Sequence, residues 1–365
     1  MQMSLTESGT EDIIIERSGS AGVIRLNRPK ALNSLTLPMV EAISAALRAF
    51  AIDNTIASVV IMGEGGRGFC AGGDIRALHV SGRDGTGDAS SFWRAEFRLN
   101  HAIAHYPKPY VALMDGITMG GGVGLSSHGS HRVVTERTRL AMPETGIGYF
   151  PDVGATWLLP RTRGELGTWM ALTGLDINAA DAIYAGLADH CVASSGLTDL
   201  VAAIGDLPSD ASAAHVHDVI AGRSGEPADG KLANARALID AAFAHDKVEE
   251  ILAALAMAPE AFAQDTLKVI ATRSPTSLKL TLRLLRAGRR SKSLATCLER
   301  ELGACLQVLH SPDFYEGIRA AVIDKDRNPK WSPASLAKVD EATIDRFFAQ
   351  KPKLFENQDG KENPS

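Results

Sequence analysis

Two carboxylic acids, Glu144 and Asp152, stand eight residues apart in Ala141-Met142-Pro143-Glu144-Thr145-Gly146-Ile147-Gly148-Tyr149-Phe150-Pro151-Asp152-Val153-Gly154. A carboxylate among Met, Ile, Tyr and Phe is costly unless partnered, and desolvation lifts its pKa toward values useful for proton transfer or nucleophilic attack. From spacing alone a capping or salt-bridged role stays open for each acid. Upstream lie two glycine-rich loops, Gly65-Gly66-Arg67-Gly68-Phe69-Cys70-Ala71-Gly72-Gly73-Asp74-Ile75 and Met119-Gly120-Gly121-Gly122-Val123-Gly124-Leu125. One backbone N–H from each can be aimed at a single oxygen, and a helix opening behind the second would strengthen that donor.

Other chemistries are excluded by spacing. Neither loop is followed by Gly-Lys-Ser/Thr, so neither is a phosphate-binding P-loop, and GGGVG is one residue short of a dinucleotide GxGxxG. The run Gly124-Leu125-Ser126-Ser127-His128-Gly129 approaches a GxSxG nucleophile elbow but misses its register. Cys70, Cys191, Cys297 and Cys305 are far apart with no CxxC pair, which reads as reduced structural thiols. No metal site and no bound cofactor are expected.

The elements that must position these residues alternate in type. Asp12 to Glu16 (DIIIE) and Gly22 to Leu26 (GVIRL) are β-branched and strand-like, with the turn SGSA between them. Thr36 is placed to cap a helix with Pro38 in its first turn, and Leu37, Val40, Ile43, Leu47 and Phe50 follow at helical spacing. Ser58 to Met62 (SVVIM) and Tyr110 to Met114 (YVALM) read as buried strands. Nine of the 34 glycines fall between Gly63 and Gly87 and six more between Gly116 and Gly129, each cluster starting where a strand ends. Glycine there permits positive φ and close backbone approach, as site-forming loops require.

Strands alternating with helices predict an α/β fold. Beyond about residue 195, Ala, Leu and charged residues dominate and strand signals become rare. This divides the chain into a core over 1–195, a helical region over 196–350 and a polar tail over 351–365 that is expected to be disordered. One helix is expected after Ser274-Pro275-Thr276, with Leu278, Leu282 and Leu285 on its face. The basic run Arg283 to Arg290 (RLLRAGRR) reads either as a solvated helix face or as a contact for an anionic ligand tail.

Composition sets further bounds. Of 365 residues, 45% are hydrophobic and 22% charged, an ordinary globular balance, so a large core needs no disulfide or metal staple. A net charge of −5 without a basic tract argues against nucleic acid as a partner. The longest wholly apolar run, Ile251 to Ala258, is far below the roughly 18 residues that cross a bilayer, so no membrane association is expected. The opening residues MQMSLTESGTED are acidic and polar, without an Arg-rich or apolar leader, and predict a cytoplasmic protein.

Taken together, GVIRLNRPKALNSL, GRGFCAGGDI, DGITMGGGVGLS and AMPETGIGYFPDVG resemble the crotonase (enoyl-CoA hydratase/isomerase) superfamily over residues 12 to about 190. FWRAEFRLN at 92–100, PETGIGYFPDVGATWLLPR at 143–161, SPTSLKLTLR at 274–283 and DFYEGIRAAVIDKDRNPKW at 313–331 are similar to the branch that hydrolyses 3-hydroxyacyl-CoA thioesters. The resemblance implies a spiral of ββα repeats with a helical C-terminal region and an acyl-CoA substrate. It implies an oxyanion hole from the N–H groups of Gly73 and Gly121, with Glu96, Gly121, Glu144 and Asp152 contacting substrate. The implied reaction is hydrolysis of a short 3-hydroxyacyl thioester such as 3-hydroxyisobutyryl-CoA, a step of valine catabolism, with Glu144 as general base or nucleophile and Asp152 beside it. Hydratases of the superfamily carry a catalytic glutamate at the position of Gly124 and usually glycine at that of Asp152, which puts hydratase activity in doubt here. Hydratase or isomerase chemistry and a non-catalytic acyl-CoA-binding or assembly role are the alternatives, and a homo-oligomer is compatible with the family.

Overall fold

A computed structural model of the chain describes residues 9–355. The expectation that the tail is disordered falls largely on 356–365, outside the described residues. Among the described residues nine strands form two sheets. The larger has the order β1 (Ile13–Ser18), β2 (Ala21–Leu26), β3 (Ser58–Gly63), β5 (Tyr110–Met114), β7 (His131–Val134) and β9 (His190–Cys191). Only β1 and β2 pair antiparallel, through the predicted SGSA turn; every later pairing is parallel. Parallel strands covered on both faces are apolar throughout, and every residue of β5 is buried.

The smaller sheet is β4 (Gly68–Cys70), β6 (Ile117–Met119) and β8 (Arg139–Ala141), also parallel. Each of β3–β4, β5–β6 and β7–β8 places its first strand in the large sheet and its second in the small one. Repeating that step stacks the turns of the chain into the spiral of ββα units, with parallel pairing in both sheets as the consequence. The sequence reading found β1, β2, β3 and β5 of the large sheet but neither β7 and β9 nor the small sheet. Strands of three residues are too short to display a period-2 pattern, and here they lie inside what composition marks as loops.

Helix α1 (Leu37–Ile52) forms as its spacing predicts: Thr36 Oγ1 accepts from Met39 N–H, and Val40, Ile43, Leu47 and Phe50 are buried. Helix α2 (Ile75–Asp84) is capped by Asp74, α3 (Asp88–Ala104) buries Trp93, Glu96 and Phe97, and α4 (Gly121–Ser126) is wholly buried. From Leu197 the named elements of the described chain are all helices. Helix α5 (Pro275–Arg289) starts where expected, with Ser274 as its cap, and is followed by α6 (Leu294–Val308) and α7 (Pro312–Ile318). These helices fold back on the spiral without clearance: a Cβ on Gly288 would sit 1.8 Å from the Thr156 carbonyl oxygen, and one on Gly317 would sit 2.2 Å from the Ile147 carbonyl carbon.

Most of the basic run of α5 is engaged in ion pairs, while Arg289 and Arg290 stay exposed at its end. Arg286 and Arg289 both pair with Glu165, Arg286 reaches Asp246, and Arg283 pairs with Asp345. All four cysteines are buried and unpaired. Among the described residues no helix is long and apolar enough to cross a membrane.

Candidate active site

The three strands of the small sheet run in the same direction and end side by side. Beyond β4 the chain reaches Gly72 and Gly73, beyond β6 Gly120 and Gly121, and beyond β8 Pro143 and Glu144. One cavity of about 110 Å³ collects these strand ends, and Phe92, Trp93, Glu96, Tyr149 and Asp152 also line it. All five residues expected to form the site, Gly73, Gly121, Glu96, Glu144 and Asp152, therefore share one wall-to-wall space.

Gly73 is pinned from both sides. Leu35 N–H donates to the Gly72 carbonyl (2.8 Å), and Asp74 N–H donates to the Leu35 carbonyl (2.8 Å). This alternation turns the Gly73 N–H away from Leu35. Gly121 is the first residue of α4, so its N–H has no acceptor within the helix. Among the described residues neither amide donates to a backbone carbonyl. They are neighbours: the Gly73 nitrogen lies 3.3 Å from where a Cβ on Gly121 would be. Both places are tight for a side chain: a Cβ added at Gly73 would lie 3.0 Å from the Phe92 ring, and one at Gly121 would lie 2.5 Å from Glu96 Oε1, which would have to shift.

The acids face the same space. Glu96 is only 2% exposed and Glu144 6%; Glu96 Oε1 and Glu144 Oε2 are buried without a hydrogen-bond partner. Glu144 Oε1 lies 3.0 Å from where a Cβ on Gly120 would be, close against the second glycine loop. Burial pushes the Glu96 carboxyl well above its ordinary range, with Asp152 and Glu144 adding repulsion. Glu144 is raised well above its ordinary range by burial and then by Asp152. Asp152 is raised to about 7 by burial, opposed by the hydrogen bond it accepts from the Tyr149 hydroxyl. The capping and salt-bridge readings of these acids are not what the structure shows, because no cation is paired with them among the described residues. Three carboxyls whose ionisation is linked by mutual repulsion form a set suited to holding and moving protons.

The segment carrying Asp152 is strained and braced. Val153 adopts φ +53°, a left-handed conformation that is unusual for a β-branched residue, followed by Gly154 at φ +82°. The half-buried His128, its pKa lowered to about 4 by burial, donates from Nε2 to the Val153 carbonyl (2.8 Å). Glu301 of α6 accepts from Gly154 N–H (2.7 Å), Thr156 N–H (3.0 Å) and Thr156 Oγ1 (2.6 Å). Sequence reasoning missed Tyr149, His128 and Glu301. Glu301 did leave a signal, since Cys297, Glu301 and Cys305 follow at four-residue spacing on the buried face of α6.

Gly124 is closed to any side chain. A Cβ there would lie 2.7 Å from Val153 Cβ and 2.8 Å from Asn100 Nδ2, so the strained Val153 occupies the direction in which a residue at 124 would project.

Two free amides at parallel strand ends, facing an acid within a ββα spiral, define a class, and comparison with known proteins agrees. The enoyl-CoA hydratase/isomerase family model matches residues 21–348, and the chain belongs to that family. Its curated relatives include the mitochondrial 3-hydroxyisobutyryl-CoA hydrolases of Xenopus laevis (46% identical, 92% of this chain and 88% of the relative), Danio rerio (44%, 95% and 91%) and Homo sapiens (43%, 95% and 91%). Among solved structures, a carnitinyl-CoA dehydratase from Mycobacterium thermoresistibile superposes with TM-score 0.89 at 43% identity over 95% of this chain and 99% of its own. An enoyl-CoA hydratase from Rhodobacter sphaeroides gives 0.85 at 40% over 93% and 97%.

These relatives overturn the expected cytoplasmic location, because the curated hydrolases are mitochondrial and point to that compartment. The reading failed for a physical reason. It rested on what the first dozen residues lack, and the folded spiral carries no trace of the compartment in which it works.

Proposed function

We propose that this protein hydrolyses 3-hydroxyisobutyryl-CoA to 3-hydroxyisobutyrate and CoA, the thioester cleavage of valine breakdown. The observation that carries the reading is the convergence of two unpaired main-chain amides, Gly73 and Gly121, with the buried Glu144 on one cavity. Attack on a thioester carbonyl moves charge onto its oxygen, and two preorganised N–H donors stabilise that charge where it develops. Glu144 drives the attack by activating water or by adding to the carbonyl itself, which expels CoA thiolate and leaves a mixed anhydride for water to cleave. Asp152 accepts the 3-hydroxyl of the acyl group, and Glu96 closes the acyl pocket beside it. A site built to bind a hydroxyl discriminates against acyl groups lacking one, because its polar groups are then left unpaired. The curated hydrolases support this choice of substrate.

The solved neighbours named as a dehydratase and a hydratase raise hydration as a competing reading. The packing at Gly124 speaks against it, since the second carboxylate that water addition uses has no room there. Glu144→Gln tests the proposal: turnover followed by thiol release should fall by about 10²–10⁴-fold while CoA affinity is retained. Wild-type kinetics would remove Glu144 from the chemistry.

A further inference from the structure

Helix α6 presents Glu301 and Cys305 one turn apart on the face that packs behind the active site, and both residues are fully buried. Glu301 holds the backbone of Gly154 and Thr156, directly after Asp152. Cys305 Sγ lies 2.9 Å from the Tyr149 hydroxyl, and that hydroxyl lies 2.8 Å from Asp152 Oδ2. A phenol has one proton. Directed at Asp152, it leaves the oxygen's lone pairs to accept from the Cys305 thiol, which burial keeps protonated. The contacts therefore run as a directed chain, thiol to phenol to carboxylate. The Tyr149 ring is fixed against rotation by Phe150 (centroids 4.7 Å), Phe314 (5.8 Å) and Trp93 (6.2 Å, nearly parallel).

We propose that Tyr149, backed by Cys305 of α6, is a positioning residue that keeps Asp152 ionised and aimed as an acceptor for the acyl 3-hydroxyl. The inference rests on the substrate-contacting role given to Asp152 above. It also assigns work to the C-terminal helical region, which supplies both ends of the brace while leaving the amides and acids to the spiral. The groups facing Asp152 leave Tyr149 as its hydrogen-bonding side-chain support. Glu96 and Glu144 repel its charge across the cavity, Glu301 lies behind it with oxygens committed to Gly154 and Thr156, and Cys305 reaches it only through Tyr149.

The test is the pH dependence of kcat/KM for a 3-hydroxyacyl-CoA in four full-length enzymes: wild type, Tyr149→Phe, Asp152→Asn and the double variant. Tyr149→Phe keeps the ring and its packing but removes the proton given to Asp152. Its ascending limb should move to higher pH by about one unit, the worth of one charge-assisted hydrogen bond. Adding Tyr149→Phe to Asp152→Asn should shift nothing further. Cys305→Ala, which leaves Tyr149 intact, should move the limb in the same direction by less, and urea unfolding of each variant confirms that it folds. If Asp152→Asn impairs turnover while Tyr149→Phe leaves the profile in place, the positioning role is refuted and the reading of Asp152 stands. If Asp152→Asn turns over 3-hydroxyacyl-CoA like the wild type, the reading of Asp152 falls and takes the inference with it.

Discussion

Asp152→Asn should make the unliganded protein more stable at neutral and alkaline pH while impairing it as an enzyme. The Asp152 carboxyl is displaced from an ordinary value of 3.8 to about 7, burial being the dominant cause and the Tyr149 hydrogen bond the main opposing one. A carboxyl whose pKa is raised by folding binds its proton more tightly in the native state than in the unfolded chain. Its contribution to stability is therefore complete below about pH 4 and lost as the pH rises through about 7. The displacement corresponds to about 4 kcal/mol at most, gathered between those limits. Asparagine matches the volume and its carbonyl accepts the Tyr149 proton, but it has no charge to desolvate. Urea unfolding at about pH 5 and about pH 8 should show the variant gaining up to a few kcal/mol on the wild type at the higher pH. Parallel pH dependences for the two proteins would refute the claim that Asp152 is held ionised against its surroundings. The same variant should lose more activity on 3-hydroxyacyl than on plain acyl thioesters, and an equal loss on both would remove its hydroxyl-binding role.

Gly121→Ala drives a Cβ to within 2.5 Å of Glu96 Oε1 at the helix start that supplies one amide. The substitution keeps the Gly121 N–H, so the kcat for thiol release should fall only as far as the displaced Glu96 and helix start spoil the site, by less than the about 10²–10³-fold worth of a whole oxyanion donor. An unchanged kcat would refute the claim that this wall leaves no room for a Cβ. Gly124→Glu should give no hydration of crotonyl-CoA, followed by loss of the enoyl absorbance, and should lower the melting temperature because Val153 and Asn100 already fill that place. Gain of hydratase activity would overturn the packing argument. Single-turnover reaction in ¹⁸O-labelled water probes the two routes for Glu144: label in the Glu144 carboxylate marks an anhydride that water opens at the glutamyl carbonyl, while label in the product alone is the outcome shared by general-base attack and by opening at the acyl carbon.

Much of this was legible in the sequence where a pattern extends over enough residues. The β-branched runs of β2, β3 and β5, the Thr36 cap and the helix start after Ser274-Pro275-Thr276 are local signals, and they correspond to the elements observed. The glycine loops and the two acids were legible as chemistry, though not as geometry. What brings Gly73, Gly121 and Glu144 together is the small sheet, whose strands are too short to be read from sequence. Glu96 entered only through the resemblance, since nothing in RAEFR distinguishes a buried glutamate from a solvated one. The brace on Asp152 was hidden by distance along the chain, because Tyr149 meets Cys305 across 156 residues and Gly154 meets Glu301 across 147.

The protein's other buried acids show why the cavity is chemical rather than structural. Glu165 is held by Arg286, Arg289 and Thr168, Asp181 by the amides of Lys231 and Leu232, and Asp313 by Ser274 and the Ser332 amide, while Glu301 accepts three hydrogen bonds. Wherever an acid serves packing alone, this fold supplies its partners. Among the described residues, the carboxylate oxygens buried without any are Glu96 Oε1 and Glu144 Oε2, and both belong to acids lining one cavity beside the Gly73 and Gly121 amides. An unpartnered buried carboxylate destabilises the fold, and a pure scaffold gains nothing by keeping two of them together. Their concentration at one point, opposite donors that are themselves unpaired, is the arrangement expected when the missing partners are supplied by a reacting acyl group.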